Sequence, residues 1–381
     1  VKICQPPVNF NGIMIVGEWP GREEMTSRSK LPFIGPDGQF LKDRMKKAGI
    51  EAKDCYITYV VHQQPMKNDF ASLPATVVEQ GRAELIADIE KYKPNLVLAV
   101  GPEALKIICN KDGLLARRGA VLEAAIVPGV KVLPTVSPGS IFRGNAKYDV
   151  VLQMDLGKAL AESKFPEIRH PYRNVEVVRG VIPAVELLQQ LSKMTTPQAV
   201  DIETAGPKLL AYGIAISKEM AYVIPKELCE MPVVLRAISE YAFSDVPKIF
   251  HNGLYDVFHG AYYYHIVTRN FFYDTMLAQH CIFPTLPKSL AFCSSIYTNE
   301  TYWKDEGKEI IDDLQTHKHN KIIDWEKFYI YNGKDCCVTY EIFEEQQEEL
   351  DHWQTRGIFE TTMACVRPAL EMQMNGLRVD E

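Results

Sequence analysis

The sequence predicts an α/β protein of two domains, the first on a parallel sheet and the second on a mixed sheet. Three observations carry this. Over residues 1–160 short apolar runs alternate with stretches of helical periodicity, the pattern of strands joined by helices. From residue 199 three apolar runs follow one another at hairpin-like spacing, and from residue 254 the pattern turns mainly helical. Between the two regions lies a polar, proline-containing stretch, "ESKFPEIRHPYRN", which reads as a linker.

In chain order, "GIMIV" (12–16) is an apolar run closed by Gly17, Pro20 and Gly21, hence a buried strand running into a loop. "GQFLKDRMKKAGI" has apolar positions at helical spacing and a basic outer face. "CYITYVV", "NLVLAV" and "KVLPTVS" are further buried strands, with a helix over 76–93 between the first two. After the linker come the strands "AVDIET", "LLAYGIAIS" and "MAYVIP", then "KIFHNG" as a fourth. "LQTHKHNKIID" has no period and is expected to be a mobile loop. The expected boundaries are a domain over 1–165, a linker over 166–175, a domain over 176–350 and the start of a further domain over 351–381.

Composition narrows the class. A chain of 381 residues exceeds what one core normally serves, and 46% hydrophobic with 24% charged residues is ordinary for a soluble globular protein. No apolar run approaches the ~18–20 residues that span a bilayer, so a cytoplasmic protein without a membrane partner is expected. The nine cysteines are irregularly spaced, and the adjacent Cys336 and Cys337 cannot form a C-x-x-C chelate, which argues for reduced thiols. The net charge of −7 is uneven: residues 1–165 hold 22 Lys+Arg against 18 Asp+Glu, and residues 166–381 hold 20 against 31. An acidic domain still binds nucleic acid where metal ions cover its acids.

The chemistry-bearing pattern is carboxylate. Asp201 and Glu203 lie two apart on a strand, so both point to one face and repel unless a cation sits between them. "HNGLYD" sets Asn252 and Asp256 four apart at a strand-to-helix transition, and "YNGKDCCVTYEIF" sets Tyr331 and Asp335 four apart on a helix. Four acids and a tyrosine that converge suit two-metal phosphodiester hydrolysis. Oxygen ligands without clustered His or Cys favour Mg²⁺ or Mn²⁺.

In order and spacing, Asp201-x-Glu203-Thr204, Asn252-x-x-x-Asp256 and Tyr331-x-x-x-Asp335 resemble the DEDDy-type 3′–5′ exonuclease domain of family A DNA polymerases. "FFYDTMLAQH" resembles a segment of the same family, and "SLAFCSSIYTNETYWKDEGK" looks like a phage or organelle-type member. The resemblance implies a ribonuclease H-like fold and two divalent ions. It would make Asp201 the bridging ligand, with Glu203 and Asp335 completing the first site and Asp256 holding the second through water. Tyr331 would orient the attacking water, and Thr204 and Asn252 would sit beside the terminal nucleotide of a single-stranded 3′ end or primer–template. The tail "FETTMACVRPALEMQMNGLRVDE" resembles the opening of a family A polymerase domain, so the chain is expected to be the front part of a proofreading polymerase, with that domain in cis.

"IMIVGEWPGREE", "LPFIGPDGQFL", "CYITYVVHQQP", "KPNLVLAVGPEAL" and "PTVSPGSIFR" resemble the uracil-DNA glycosylase superfamily, nearest its iron–sulfur branch. The resemblance implies a three-layer α/β/α domain whose pocket is lined by Gly17, Glu18, Trp19, Pro20, Gly21, Phe33, Ser137 and Pro138, with Phe33 stacking on an extruded base. There are departures. Ser137-Pro138 stands where the family has His-Pro, so a side chain that stabilises a departing uracil anion is missing. Trp19 replaces a small residue and would fill the pocket. Gln63 and the stretch around Gly81 stand where two cluster cysteines belong, so no iron–sulfur cluster is expected. Arg22, Arg28, Lys30, Arg117, Arg118 and Arg143 are expected to meet DNA phosphates. The expectation is a two-metal 3′–5′ exodeoxyribonuclease joined to a non-cleaving, DNA-binding glycosylase-like domain. The alternatives are a bifunctional repair enzyme that also releases uracil, a non-catalytic tether, and a ribonuclease D-like enzyme.

Overall fold

A computed structural model describes residues 2–305, 307 and 323–376. The chain divides into two compact units, Val1–His170 with Asn299–Tyr302, and Pro171–Thr298 with Trp303–Glu381. Residues 314–322 of the expected mobile loop and Leu377–Glu381 of the tail motif lie outside the described residues. Among the described residues no helix is long and apolar enough to cross a membrane.

The first unit holds a five-stranded sheet of β1 (Ile13–Gly17), β2 (Tyr56–Tyr59), β3 (Leu96–Val100), β4 (Leu122–Glu123) and β5 (Lys131–Thr135), in the order β2-β1-β3-β5-β4. All pairs are parallel except the short β4 on β5. Residues of β1, β2, β3 and β5 are buried on both faces, which is why these strands read as unbroken apolar runs. Met14, Val16, Val97 and Ala99 pack against the helices Ala75–Tyr92 and Pro102–Cys109. The helix Tyr148–Glu162 packs on β3 and β5, giving a third layer.

The second unit holds a six-stranded mixed sheet of β6 (Asn174–Val177), β7 (Gln198–Ala205), β8 (Lys208–Ser217), β9 (Met220–Pro225), β10 (Lys248–Phe250) and β11 (Phe271–Asp274). Its order is β11-β10-β7-β8-β9-β6. β7, β8 and β9 form an antiparallel meander, while β10, β11 and β6 add in parallel. This is the ribonuclease H-like arrangement expected. The sequence reading missed the two edges: β6 takes Asn174 and Val175 from the expected linker, because a four-residue edge strand with alternating exposure leaves little periodic signal.

The 28-residue helix Trp325–His352 crosses this sheet at very short range. A Cβ on Gly213 of β8 would lie 2.4 Å from Asn332 Oδ1 and 2.6 Å from Cys336 Sγ. A Cβ on Gly333 of the helix would lie 2.3 Å from Val175 Cγ1. Two glycines, one on each element, therefore set the approach that carries Tyr331 and Asp335 to β7.

Candidate functional site

At the centre of the second unit, ligand oxygens of Asp201, Glu203 and Asp335 lie within 4.8 Å of one another. Strand alternation aligns the first two and the glycine-spaced helix delivers the third. Asp256 stands in the first turn of the helix Leu254–Tyr264 and accepts a hydrogen bond from the Ile202 backbone N–H at 3.0 Å, between the two strand acids. Gly253 is the N-cap, so Asp256 is free of a capping role. Tyr331 lies one turn before Asp335, with its hydroxyl 3.0 Å from Lys304 Nζ.

Burial and like charge dominate the electrostatics. Asp201 is pushed well above the usual carboxylate range by burial, then by Glu203, Asp256 and Asp335. Burial and Asp335 push Glu203 up to about 8. Burial pushes Asp256 up to about 7 against the backbone hydrogen bond from Ile202. A cluster that resists ionising this strongly is one that a divalent cation would discharge. The donor set is all oxygen, so the residues present fit Mg²⁺ or Mn²⁺.

Several partners escaped the sequence reading. Asn332 donates to Asp201 Oδ2 at 2.8 Å, Trp303 Nε1 donates to Asp335 Oδ1 at 2.6 Å, and Lys304 Nζ bonds Asp335 Oδ2. The tryptophan and lysine lie in "NETYWKDEGK", a segment that carried a likeness but no assigned role. Thr204 Oγ1 is 2.6 Å from the Tyr255 hydroxyl at the open edge of the site. Asn252 is exposed in a left-handed turn (φ +62°), its backbone N–H held by Asp274 Oδ1 at 3.2 Å. Asp274 also holds the N–H groups of Gly253, Met276 and Leu277, so it braces the turn that aims Asp256.

The first unit contains an open cavity of about 890 Å³. Gly17, Glu18, Trp19, Gly21, Phe33, Ser137, Pro138 and Arg143 line it, and Pro20 is buried without lining it. Trp19 forms part of the wall and leaves the cavity open, its indole packed on Phe70, another lining residue, with ring centroids 5.9 Å apart. Phe33 is held at φ +52°, with its N–H donated to the Tyr59 hydroxyl at 2.9 Å and its ring against Tyr59. Glu18 accepts from the Glu103 N–H at 3.1 Å, and burial pushes it up to about 7. Buried Glu24, unnoticed in the sequence, holds the N–H groups of Ile34 and Gly35 at 2.8 and 3.0 Å and so fixes the loop that carries Phe33.

The basic residues divide. Arg22, Arg28 and Arg143 are exposed, and Lys30 is half-buried with its ammonium on the Met25 carbonyl. Arg117 is half-buried against the Tyr302 ring. Arg118 corrects the expectation: it is 1% exposed and paired with buried Asp155, which also accepts from Thr135 Oγ1 at 2.7 Å. A guanidinium committed to an internal carboxylate cannot meet phosphate.

Comparison with known proteins matches residues 7–156 to the uracil DNA glycosylase superfamily. A type-4 uracil-DNA glycosylase of Thermotoga maritima is 32% identical over 151 residues, covering 39% of this chain and 75% of the relative. The chain belongs to the uracil DNA glycosylase superfamily. A second type-4 uracil-DNA glycosylase, from Pyrobaculum aerophilum, is 29% identical over 138 residues, covering 35% of this chain and 68% of the relative. This superfamily member carries a second family match, to 3′–5′ exonuclease, over residues 176–351, which contain the carboxylate site. Among solved structures, Escherichia coli RNase D is 13% identical with a TM-score of 0.40, covering 52% of this chain and 51% of its own.

Proposed function

We propose that this protein is a two-metal 3′–5′ exonuclease that removes nucleotides from DNA 3′ ends, as the proofreading part of a family A DNA polymerase. The observation that carries the reading is the convergence of Asp201, Glu203 and Asp335 within 4.8 Å. Asp256 and Tyr331 on adjoining elements, and the exonuclease family match, support it. Divalent ions held by the four acids would supply the charge that activates water and stabilises a leaving 3′ oxygen. The chain's own residues do the rest. Tyr331 would orient the attacking water through its hydroxyl, which lies beside Asp335 and Lys304, while Asn332 fixes the rotamer of Asp201 and the Ile202 N–H fixes Asp256. Thr204, Tyr255 and Asn252 border the terminal nucleotide.

The glycosylase-type unit, in this reading, holds DNA without releasing uracil and carries no iron–sulfur cluster. Ser137 offers no imidazole to a departing uracil anion, and the Tyr59 ring packs against Phe33 with centroids 5.0 Å apart. At Gly81 a Cβ would lie 2.1 Å from the Val60 carbonyl oxygen, which leaves no room for a cysteine. One observation favours the bifunctional alternative: the cavity stays open at about 890 Å³.

The test uses three strands of one sequence, DNA, RNA and uracil-containing DNA, and a DNA primer–template with a matched or a mismatched 3′ end. The reading expects 3′-end shortening of DNA well above RNA, no free uracil, and faster removal of a mismatched than a matched primer end. Preference for RNA would favour a ribonuclease D-like role, and free uracil would favour the repair enzyme.

A further inference from the structure

Among the described residues, Lys304 is a cation in the acidic site to which two-metal chemistry gives no role. Its ammonium bonds Asp335 Oδ2 and lies 3.0 Å from the Tyr331 hydroxyl, while Trp303 Nε1 takes the other Asp335 oxygen at 2.6 Å. Both oxygens of a carboxylate expected to bind metal are thus already engaged. The two donors differ in kind. An indole N–H is neutral and can stay beside a metal-bound carboxylate, whereas an ammonium and a divalent ion on the same carboxylate repel strongly at this range. Among the described residues, Lys304 is the cation whose field opposes the mutual repulsion of Asp201 and Glu203.

The surroundings allow it to leave. Trp303 is 2% exposed and anchors the segment, but the Lys304 side chain is 22% exposed and sits on a flexible four-carbon stem. The ammonium can turn toward solvent without any opening of the core.

We propose that Lys304 is the resident counter-ion of the site: it holds the acids together when no metal is bound and yields Asp335 when a divalent ion enters, so that it lowers metal affinity. Lys304 is a positioning residue in this scheme, acting through Asp335. The inference rests on the reading of the acids as a metal site.

The test is Mn²⁺ binding to the full chain without DNA, followed by electron paramagnetic resonance of the free ion, together with melting in chelator and in excess Mn²⁺. Lys304→Met is expected to bind Mn²⁺ about tenfold or more tighter than wild type. Its melting temperature falls in chelator and returns to the wild-type value in Mn²⁺, while Lys304→Arg stays near wild type in both. Lys304→Gln keeps a donor to Asp335 and loses only the charge, so it gives the same tightening even if the methionine variant does not fold. A neutral variant that binds Mn²⁺ equally or more weakly, beside a wild type that binds normally, overturns the counter-ion role alone. Folded wild type and folded Lys304→Gln that both fail to bind Mn²⁺ overturn the metal-site reading and this inference with it.

Discussion

Glu203 and its neighbours tie protonation to stability in a way that can be measured without substrate. Burial and Asp335 raise Glu203 from 4.5 to about 8, so in that window the folded chain binds more protons than the unfolded one. Stability must then fall as pH rises from about 4.5 through about 8. Asp256, raised by burial, acts in the same sense. In chelator the melting temperature is expected to drop between pH 5 and pH 8, and saturating Mg²⁺ to flatten the slope by taking the place of the protons. A melting temperature that rises over this range would contradict the assignment. Tyr331→Phe removes only the hydroxyl that the proposed reaction assigns to orienting water, and single-turnover hydrolysis is expected to slow by about 10²-fold while metal affinity stays level. An unchanged rate would take Tyr331 out of the reaction.

The elements explain which part of this was legible beforehand. The D-x-E pair on β7 and the Y-x-x-x-D pair on the helix Trp325–His352 show because each obeys the period of its own element. What fixes their mutual distance does not show, because Gly213 and Gly333 matter through contacts made across the sheet. Gly213→Ala is expected to push the helix off β8 and to cost about 1–3 kcal/mol. A larger proportional loss of nuclease rate than of denaturation midpoint should follow, since the helix carries two of the reacting groups. Trp303 and Lys304 were invisible for a related reason: they reach Asp335 from a segment without periodicity. Arg118 shows the converse error, since composition gives a basic residue and only packing shows its buried partner Asp155.

At the scale of the molecule, the two folds were readable from strand spacing, as was the buried edge β2, whereas the edges β4, β6 and β11, of two to four residues with exposed positions, leave too little period. The glycosylase-type unit keeps a cavity of about 890 Å³ lined by Ser137, which in the proposed reading takes the place of a side chain that stabilises negative charge. Loss of such a group lowers a rate by about 10²–10³-fold. Free uracil from uracil-containing DNA is therefore expected at least about 10²-fold below a type-4 uracil-DNA glycosylase assayed alongside. Comparable release would restore the repair reading. The central claim, that the acids of β7 serve metal-dependent hydrolysis, is met most directly by digestion of 5′-labelled single-stranded DNA in Mg²⁺ or Mn²⁺, wild type beside Asp201→Ala. The account predicts a ladder that shortens from the 3′ end and vanishes in the variant and in chelator. A ladder that survives Asp201→Ala, or none from wild type with either metal, would contradict it.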